Sequence, residues 1–464
     1  MSKQQVGVTE QPKIRPSHKK MYIWLAVVSL FLIGLVGFYA HYRFTLKQRL
    51  QISIAAMKAL DIPMSLTELN RDYHKLAMPV NAADKLNQAF ALFRSKDEEF
   101  QKNEQLWPQL PVVGIGELPE QAIAPLPAEQ KQAIAAYLTA QEATIALLIE
   151  GIQMGHCRYP VDWTQGLQAL LPHLSPVQAT GKLLVLAAIF HAEEHRPDQA
   201  AAALAHAIKL SQTMDTEPAL ISLLVKIAGE GTIFATGLPR VLAKTSLSEQ
   251  SLTMLLALFS PKNEQRLFRT FAGEVCMGSD IFTMVDDPDR VRQLLGNNVP
   301  FSGIYRLSGV WEQDFIWYLD LMGDYLRATQ EPIEKRAAAA LVVGSRLSTM
   351  SKSYIISSLI IPTLGNVIIK DSEAIARQRC AVAVLGIEKY RLAAGNLPDK
   401  IEAIVPAQLP RIPLDPFDAK PLRYKKLAHG YIVYSIGHDL KDDGGNGEKN
   451  PTGDYKDVAI GIER

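Results

Sequence analysis

The stretch "GKLLVLAAIFHAEEHR" (181–196), followed by Pro197 and "DQAAAALAHAIKLSQTM" (198–214), decides the fold class. Both arms carry apolar residues at helical spacing, the second including Ala200, Ala207 and Leu210. A proline has no backbone N–H to give a helix interior, so Pro197 marks the turn between them. The small alanines let the two arms approach closely. The segment reads as a helical hairpin.

Outward from this hairpin the helical period holds from residue 44 to about 370. Ser65 with Glu68 in "SLTEL" (65–69) makes a capping box that opens a short amphipathic helix. Residues 105–127 hold five prolines and two glycines and read as an extended connection. "AEQKQAIAAYLTAQEATIALLIEG" (128–151) is expected to be one helix ended by Gly151, and three prolines interrupt 156–176. Further helices are expected near 217–236, 247–259, 261–285, 312–329 and 331–348. The second arm of the hairpin is similar to the second helix of a tetratricopeptide repeat. No second copy stands at the period of about 34 residues, so one hairpin rather than an array is expected.

"MYIWLAVVSLFLIGLVGFYA" (21–40) contains no charged residue. As a helix it is about 30 Å long, the thickness of a bilayer's hydrocarbon core. Lys13, Arg15, Lys19 and Lys20 precede it, and Tyr22, Trp24, Tyr39 and Tyr42 flank it as interfacial anchors. Ala40 follows Phe38 and Tyr39, a poor small-x-small cleavage site, which favours an uncleaved anchor over a signal peptide. "SYIISSLIIPTLGNVII" (353–369) is shorter and interrupted by Pro362. The expectation is a single-pass protein of a bacterial cytoplasmic membrane. Residues 1–20 form a basic cytoplasmic tail, 21–42 the transmembrane helix, and the bulk lies in the periplasm. The basic residues number five before the span and four after it, a weak bias.

Few motifs carry chemistry. "HAEEH" fits H-x-x-E-H, with His191 and His195 at i and i+4 on a helix as zinc ligands and Glu194 as the base that activates water. The competing account is a solvated helix end, since Pro197 follows His195 by two residues. Asp286, Asp287 and Asp289 around Pro288 read as a turn or helix-start cluster. The chain has no phosphate-cradling GxxxxGK[ST], no dinucleotide GxGxxG and no GxSxG elbow, and no nucleotide is expected. A net charge of +1 without a basic, aromatic stripe argues against nucleic acid. Cys157, Cys276 and Cys380 are compatible with one disulfide or with three thiols, and Cys157 beside His156 reads as a plain thiol.

From about residue 371 the pattern changes. "DSEAIARQRCAVAVLGIEKYRLAAGNLP" (371–398) reads as a helix capped by Asp371 and stopped at Gly395-Asn396. A proline-rich loop follows, then "LRYKKL" (422–427) and "YIVYSIG" (431–437) as an antiparallel hairpin, with "DVAIGI" (457–462) as a last strand.

The order and residues of "EKYRLAAGNLP" (388–398), "LPRIPLDPF" (409–417), "LRY" (422–424), "YIVYSIGHD" (431–439) and "DDGG" (442–445) resemble the globular part of the major pseudopilin of type II secretion systems. The resemblance covers roughly the last fifth of the chain. No prepilin-peptidase site precedes residue 21 and residues 21–40 carry no acid, so it implies a borrowed domain rather than a pilus subunit. It also implies calcium in the loop after the "Y-S-x-G-x-D" strand. By position the ligands would be Asp439, the carbonyl of Ile436 and the returning Asp457, with Asp442 or Asp443 contributing and Asp454 able to replace Asp457. Such oxygens suit a hard cation, and Gly444, Gly445 and Gly447 would let the chain wrap it. An EF-hand is excluded, because Lys441 and Asn450 stand where its third and twelfth ligands belong.

The sequence thus reads as a mainly α protein: a transmembrane helix, a helical domain over 43–370 and a small α+β pseudopilin-like domain over 371–464. The expected function is envelope binding or scaffolding with protein partners there. The alternatives are a membrane-anchored zinc hydrolase and an accessory component of a type II secretion or type IV pilus system.

Overall fold

The computed structural model describes residues 18–75, 80–260, 265–284, 303–361, 364–448 and 456–464. Lys13, Arg15, the cluster of Asp286, Asp287, Pro288 and Asp289, Pro362, Lys449, Asn450 and Asp454 lie outside them. Helix α1 (His18–Lys58) is followed by α2 (Leu66–His74), α3 (Ala82–Gln101), α4 (Ala128–Ala140), α5 (Glu142–Gln153) and α6 (Leu174–Glu193). Then come α7 (Pro197–Gln212), α8 (Leu220–Thr232), α9 (Leu238–Lys244), α10 (Glu249–Phe259) and α11 (Arg266–Thr283). After these are α12 (Gly303–Leu307), α13 (Val310–Gln330), α14 (Ile333–Ser345), α15 (Ile355–Ile360) and α16 (Leu364–Ala394). Strands β1 (Arg423–Leu427), β2 (Gly430–Ser435) and β3 (Val458–Glu463) close the chain. The fold is mainly helical, with one small antiparallel sheet.

Helix α1 has two halves of opposite character. Its first half is bare: Leu30, Phe31 and Phe38 are 70%, 69% and 74% exposed. From Leu46 onward a stripe of Leu46, Leu50, Ser53 and Met57 is buried, the 4-3-4 spacing that keeps one helix face against a partner. That partner is α13: Arg43 Nη1 bonds Glu312 Oε2 at 2.9 Å, and Ser53 Oγ bonds Asp320 Oδ1 at 3.0 Å. The hydroxyls of Tyr39 and Tyr42 donate to the carbonyls of Leu307 and Ser308. These two expected anchors therefore mark where the body meets the bare helix.

Among the described residues four helices are long and apolar enough to cross a membrane. The apolar window of α1 is 0% buried, whereas those of Leu174–Glu193, Leu220–Lys244 and Ile355–Ala394 are 56%, 39% and 50% buried in the body.

Two cores hold the body. One joins α2 to α10 with the later part of α16 and the sheet, from Leu86 and Leu184 through Leu385 to Tyr431 and Ile462. The other gathers the docked half of α1, α11, α13, α15 and the start of α16, from Leu46 through Phe271 and Tyr325 to Ile368. Helix α16 belongs to both. The expected helix start at Asp371 is corrected: α16 already runs from Leu364, because Leu364, Val367 and Ile368 continue its apolar face. Asp371 is 1% exposed and bonded to Arg266 at 2.9 Å, an interior ion pair rather than a cap.

The expected hairpin is α6 packed on α7, with Ala200, Ala207 and Leu210 buried. Ser65 caps α2 by accepting from the Glu68 N–H at 3.2 Å. The segment 128–151 is not one straight helix: α4 and α5 meet at a 61° bend. Gln141 sits fully buried at the bend, its amide held by Thr144 and the Phe93 carbonyl. Gly151 lies inside α5, where an added Cβ would come 2.8 Å from Leu86 Cδ2, so it permits close helix packing rather than a stop. The helix expected over 217–236 instead continues through a π-turn, Ile233–Gly237, into α9.

The sheet order is β1-β2-β3, with Tyr424 opposite Val433 and Ser435 opposite Val458. Tyr431, Val433, Ile460 and Ile462 bury one face, and the Tyr431 hydroxyl donates to Glu388 of α16 at 2.7 Å.

Candidate functional site

The sheet register builds the end of the molecule on which the expected calcium ligands fall. Because Ser435 pairs with Val458, the next positions, Ile436 and Asp457, lie side by side where β2 leaves and β3 begins. Two backbone bonds tie the start of β3 to residues that follow β2: Asp457 N–H donates to the Asn446 carbonyl at 3.0 Å, and Lys456 N–H to the Glu448 carbonyl at 2.9 Å. Gly444 and Gly445 take φ of 72° and 88°, a region that only glycine enters without strain. Gly445 is buried, and a Cβ there would meet Ile432 Cδ1 at 2.9 Å.

Asp457 is fully buried and accepts the N–H groups of Gly445 at 2.7 Å and Asp443 at 3.5 Å. Burial raises its carboxyl above the ordinary 3.8, and the charges of Asp443 and Asp442 add to this against those two hydrogen bonds. Asp442 accepts from the Tyr434 hydroxyl at 3.1 Å and the Gly444 N–H at 3.0 Å, with Arg423 Nε 3.8 Å away. Asp439 bonds the Lys441 N–H at 3.1 Å, closing its own turn. Asp443 is exposed. The structure therefore brings Asp457, Asp443 and Ile436 to one end of the sheet, while Asp439 and Asp442 are each engaged locally. Among the described residues no three His, Cys, Asp or Glu side chains form a metal-ready group.

The proline-rich loop supplies a residue to which sequence reasoning assigned no role. Asp415 of "LPRIPLDPF" is 0% exposed. It accepts from Ser435 Oγ (2.7 Å), Phe417 N–H (3.0 Å), Ile436 N–H (3.0 Å) and Arg423 Nη1 (2.6 Å). Ile436 is thus held by its N–H to Asp415, directly beside the loop. The sequence signal was an acid between two prolines, Pro413 and Pro416, but nothing local named its partners, which come from β1 and β2.

The H-x-x-E-H geometry is not realised as one helix face. Helix α6 ends at Glu193, and His195 stands past it with φ of 54°. His195 is exposed, while His191 is half-buried and its Nδ1 has no hydrogen-bond partner among the described residues. Glu194 is paired with Lys131 at 2.6 Å. The helix stops before the expected i+4 position because Pro197 begins α7 two residues later.

The three cysteines are free thiols. Burial pushes Cys157 up to about 12, the opposite of an activated nucleophile. Comparison with protein-family models, curated proteins and solved structures finds no match to this chain.

Proposed function

We propose that this chain is a single-pass, membrane-anchored binding or scaffold protein of the bacterial envelope. Residues 21–42 would hold it in the cytoplasmic membrane with its bulk in the periplasm. The observation that carries the reading is the division of α1: a bare apolar half continues without a break into a half buried against α13. A helix of about 60 Å built this way couples a bilayer to a folded body with no flexible joint. Its envelope partners are proteins met by the helical body.

The C-terminal unit is, on this reading, a pseudopilin-like module whose loop closes on calcium. In support, the buried Asp457 lies beside Ile436, and the acids next to it disfavour its charge. A divalent cation would relieve that repulsion, with the Ile436 carbonyl as the expected main-chain ligand.

Two measurements test the two halves. Alkaline carbonate leaves the full chain in the membrane fraction and releases a variant lacking residues 21–42; extraction of the full chain would overturn the anchor. Millimolar calcium raises the unfolding temperature of the full chain by several degrees over chelator, and Asp457→Asn abolishes the rise. Equal midpoints with and without calcium would sink the loop site.

A further inference from the structure

A second site lies far in sequence from the C-terminal loop. A cavity of about 300 Å³ opens between α2, the loop before Trp163, the turn entering α8, and α11. That volume is at the small end of ligand pockets. Its apolar wall includes Leu69, Pro218 and Ala272, and its polar wall Arg158, Arg269 and Thr216.

Arg158 is the unusual residue. It is 9% exposed, and its Nε and Nη1 are buried with no hydrogen-bond partner among the described residues. Its backbone is clamped on both sides by Asn81, which receives the Arg158 N–H at 2.9 Å and donates to its carbonyl at 2.8 Å. Its guanidinium lies 5.0 Å from the ring centre of Tyr73, which is itself tied to the Tyr159 carbonyl at 3.0 Å. The residue is therefore held at its backbone by Asn81 and at its guanidinium by the Tyr73 ring, with no ion pair among the described residues. Elsewhere in the body a half-buried arginine is used differently: Arg266 is paired with Asp371 at 2.9 Å and Glu230 at 3.7 Å.

Arg269 reaches the same cavity from α11, anchored by Nη1 to the Asp215 carbonyl at 2.9 Å. Thr216 Oγ1 is also buried with no hydrogen-bond partner among the described residues. The nearby acids have close neighbours of their own: Glu217 Oε1 lies 2.6 Å from His173 Nε2 and its Oε2 accepts from Ser222, while Asp215 Oδ1 lies 2.8 Å from Lys226 Nζ and its charge also reaches Arg269. Asp72 lines the mouth, exposed and beside Arg71. Burying an unpaired guanidinium is unfavourable, and a bound oxyanion removes that penalty with bidentate hydrogen bonds.

We propose that this cavity binds a small organic oxyanion, a carboxylate or phosphate monoester with a short apolar body. The oxyanion sits on Arg158, Arg269 and Thr216, and the apolar part lies against Leu69, Pro218 and Ala272.

The test uses the full chain in lipid nanodiscs and isothermal titration with hexanoate and butyl phosphate, against inorganic phosphate and butanol. At least one tailed anion binds saturably at one site, tenfold or more tighter than either control; which one binds separates carboxylate from phosphoester. Arg158→Met keeps the aliphatic stem and removes the charge. It lowers that affinity at least tenfold while the ligand-free unfolding temperature stays level or rises, an outcome a merely structural arginine would not give. Arg269→Gln weakens binding likewise and decides the matter alone if Arg158→Met does not fold. No saturable binding of either probe at millimolar concentration, equal affinity for inorganic phosphate, or binding retained in both variants would overturn the proposal.

Discussion

Asp415 and Asp457 are both fully buried carboxylates at the same end of one small sheet, and they are solved in opposite ways. Asp415 receives four donors, one of them the Arg423 guanidinium, from three separate segments. Asp457 receives two backbone N–H groups and has acids as its neighbours. The first charge is neutralised within the fold and ties the start of β1 to the end of β2. Among the described residues the second is solvated by two N–H groups of its own loop, the situation in which an added cation gains most. Burial alone therefore does not tell a neutralised acid from one left among like charges; the partners do.

The contrast can be broken or sharpened in order of expected effect. Asp415→Ala should destabilise the chain most, by about 3 kcal/mol, since it strands part of Arg423 and two N–H groups. Denaturant unfolding reads this, and a loss near zero would remove Asp415 from the comparison. Glu274 extends the contrast to a nearly unsolvated acid. Burial pushes its carboxyl from the usual 4.5 to about 7, opposed only by the Leu220 N–H. The folded state then holds a proton that the unfolded chain releases, so stability falls as pH rises from about 4.5 to about 7. Glu274→Gln should flatten that slope and add on the order of 3 kcal/mol at high pH, with no gain at pH 4. Melting curves across pH would show it.

Gly445→Ala should cost about 1–2 kcal/mol, because it combines a left-handed backbone with a Cβ against Ile432. Calcium response should fall with it, as measured by the shift in midpoint on adding the ion. The smallest effect on the ion-free protein is expected from Asp457→Asn, about 1 kcal/mol or less. The folded carboxyl is raised, so the wild type loses stability as pH climbs above 3.8 through the folded value, and the variant should not. Calcium affinity should rise over the same window, because binding displaces the proton. A variant that still titrates there would assign the slope to another acid.

Much of the fold was legible because its signals are local. The uncharged run 21–40, the Ser65 cap, the Pro197 turn and the alternation in "YIVYSIG" each name an element without reference to the rest of the chain. The errors share one cause. Asp371 has the residue type of a cap and Gly151 that of a stop, but each is set by a distant neighbour, Arg266 for one and Leu86 for the other. The H-x-x-E-H spacing failed similarly, as a helix end two residues early takes His195 off the face. Of the loop, the sequence indicated the glycines and the acids. It could not say that Asp439 and Asp442 would be occupied by their own turns and by Tyr434.

By itself the sequence determined the helical class, the bare apolar helix and the three-stranded end, since each follows from periodicity or from a run of one residue type. Only the tertiary structure decided that α1 docks its second half on α13, that α16 joins two cores, and that Arg158 and Arg269 face one cavity. Those outcomes depend on which surfaces meet across more than a hundred residues of chain. Burial and pairing energies are properties of such meetings, and no local spacing carries them.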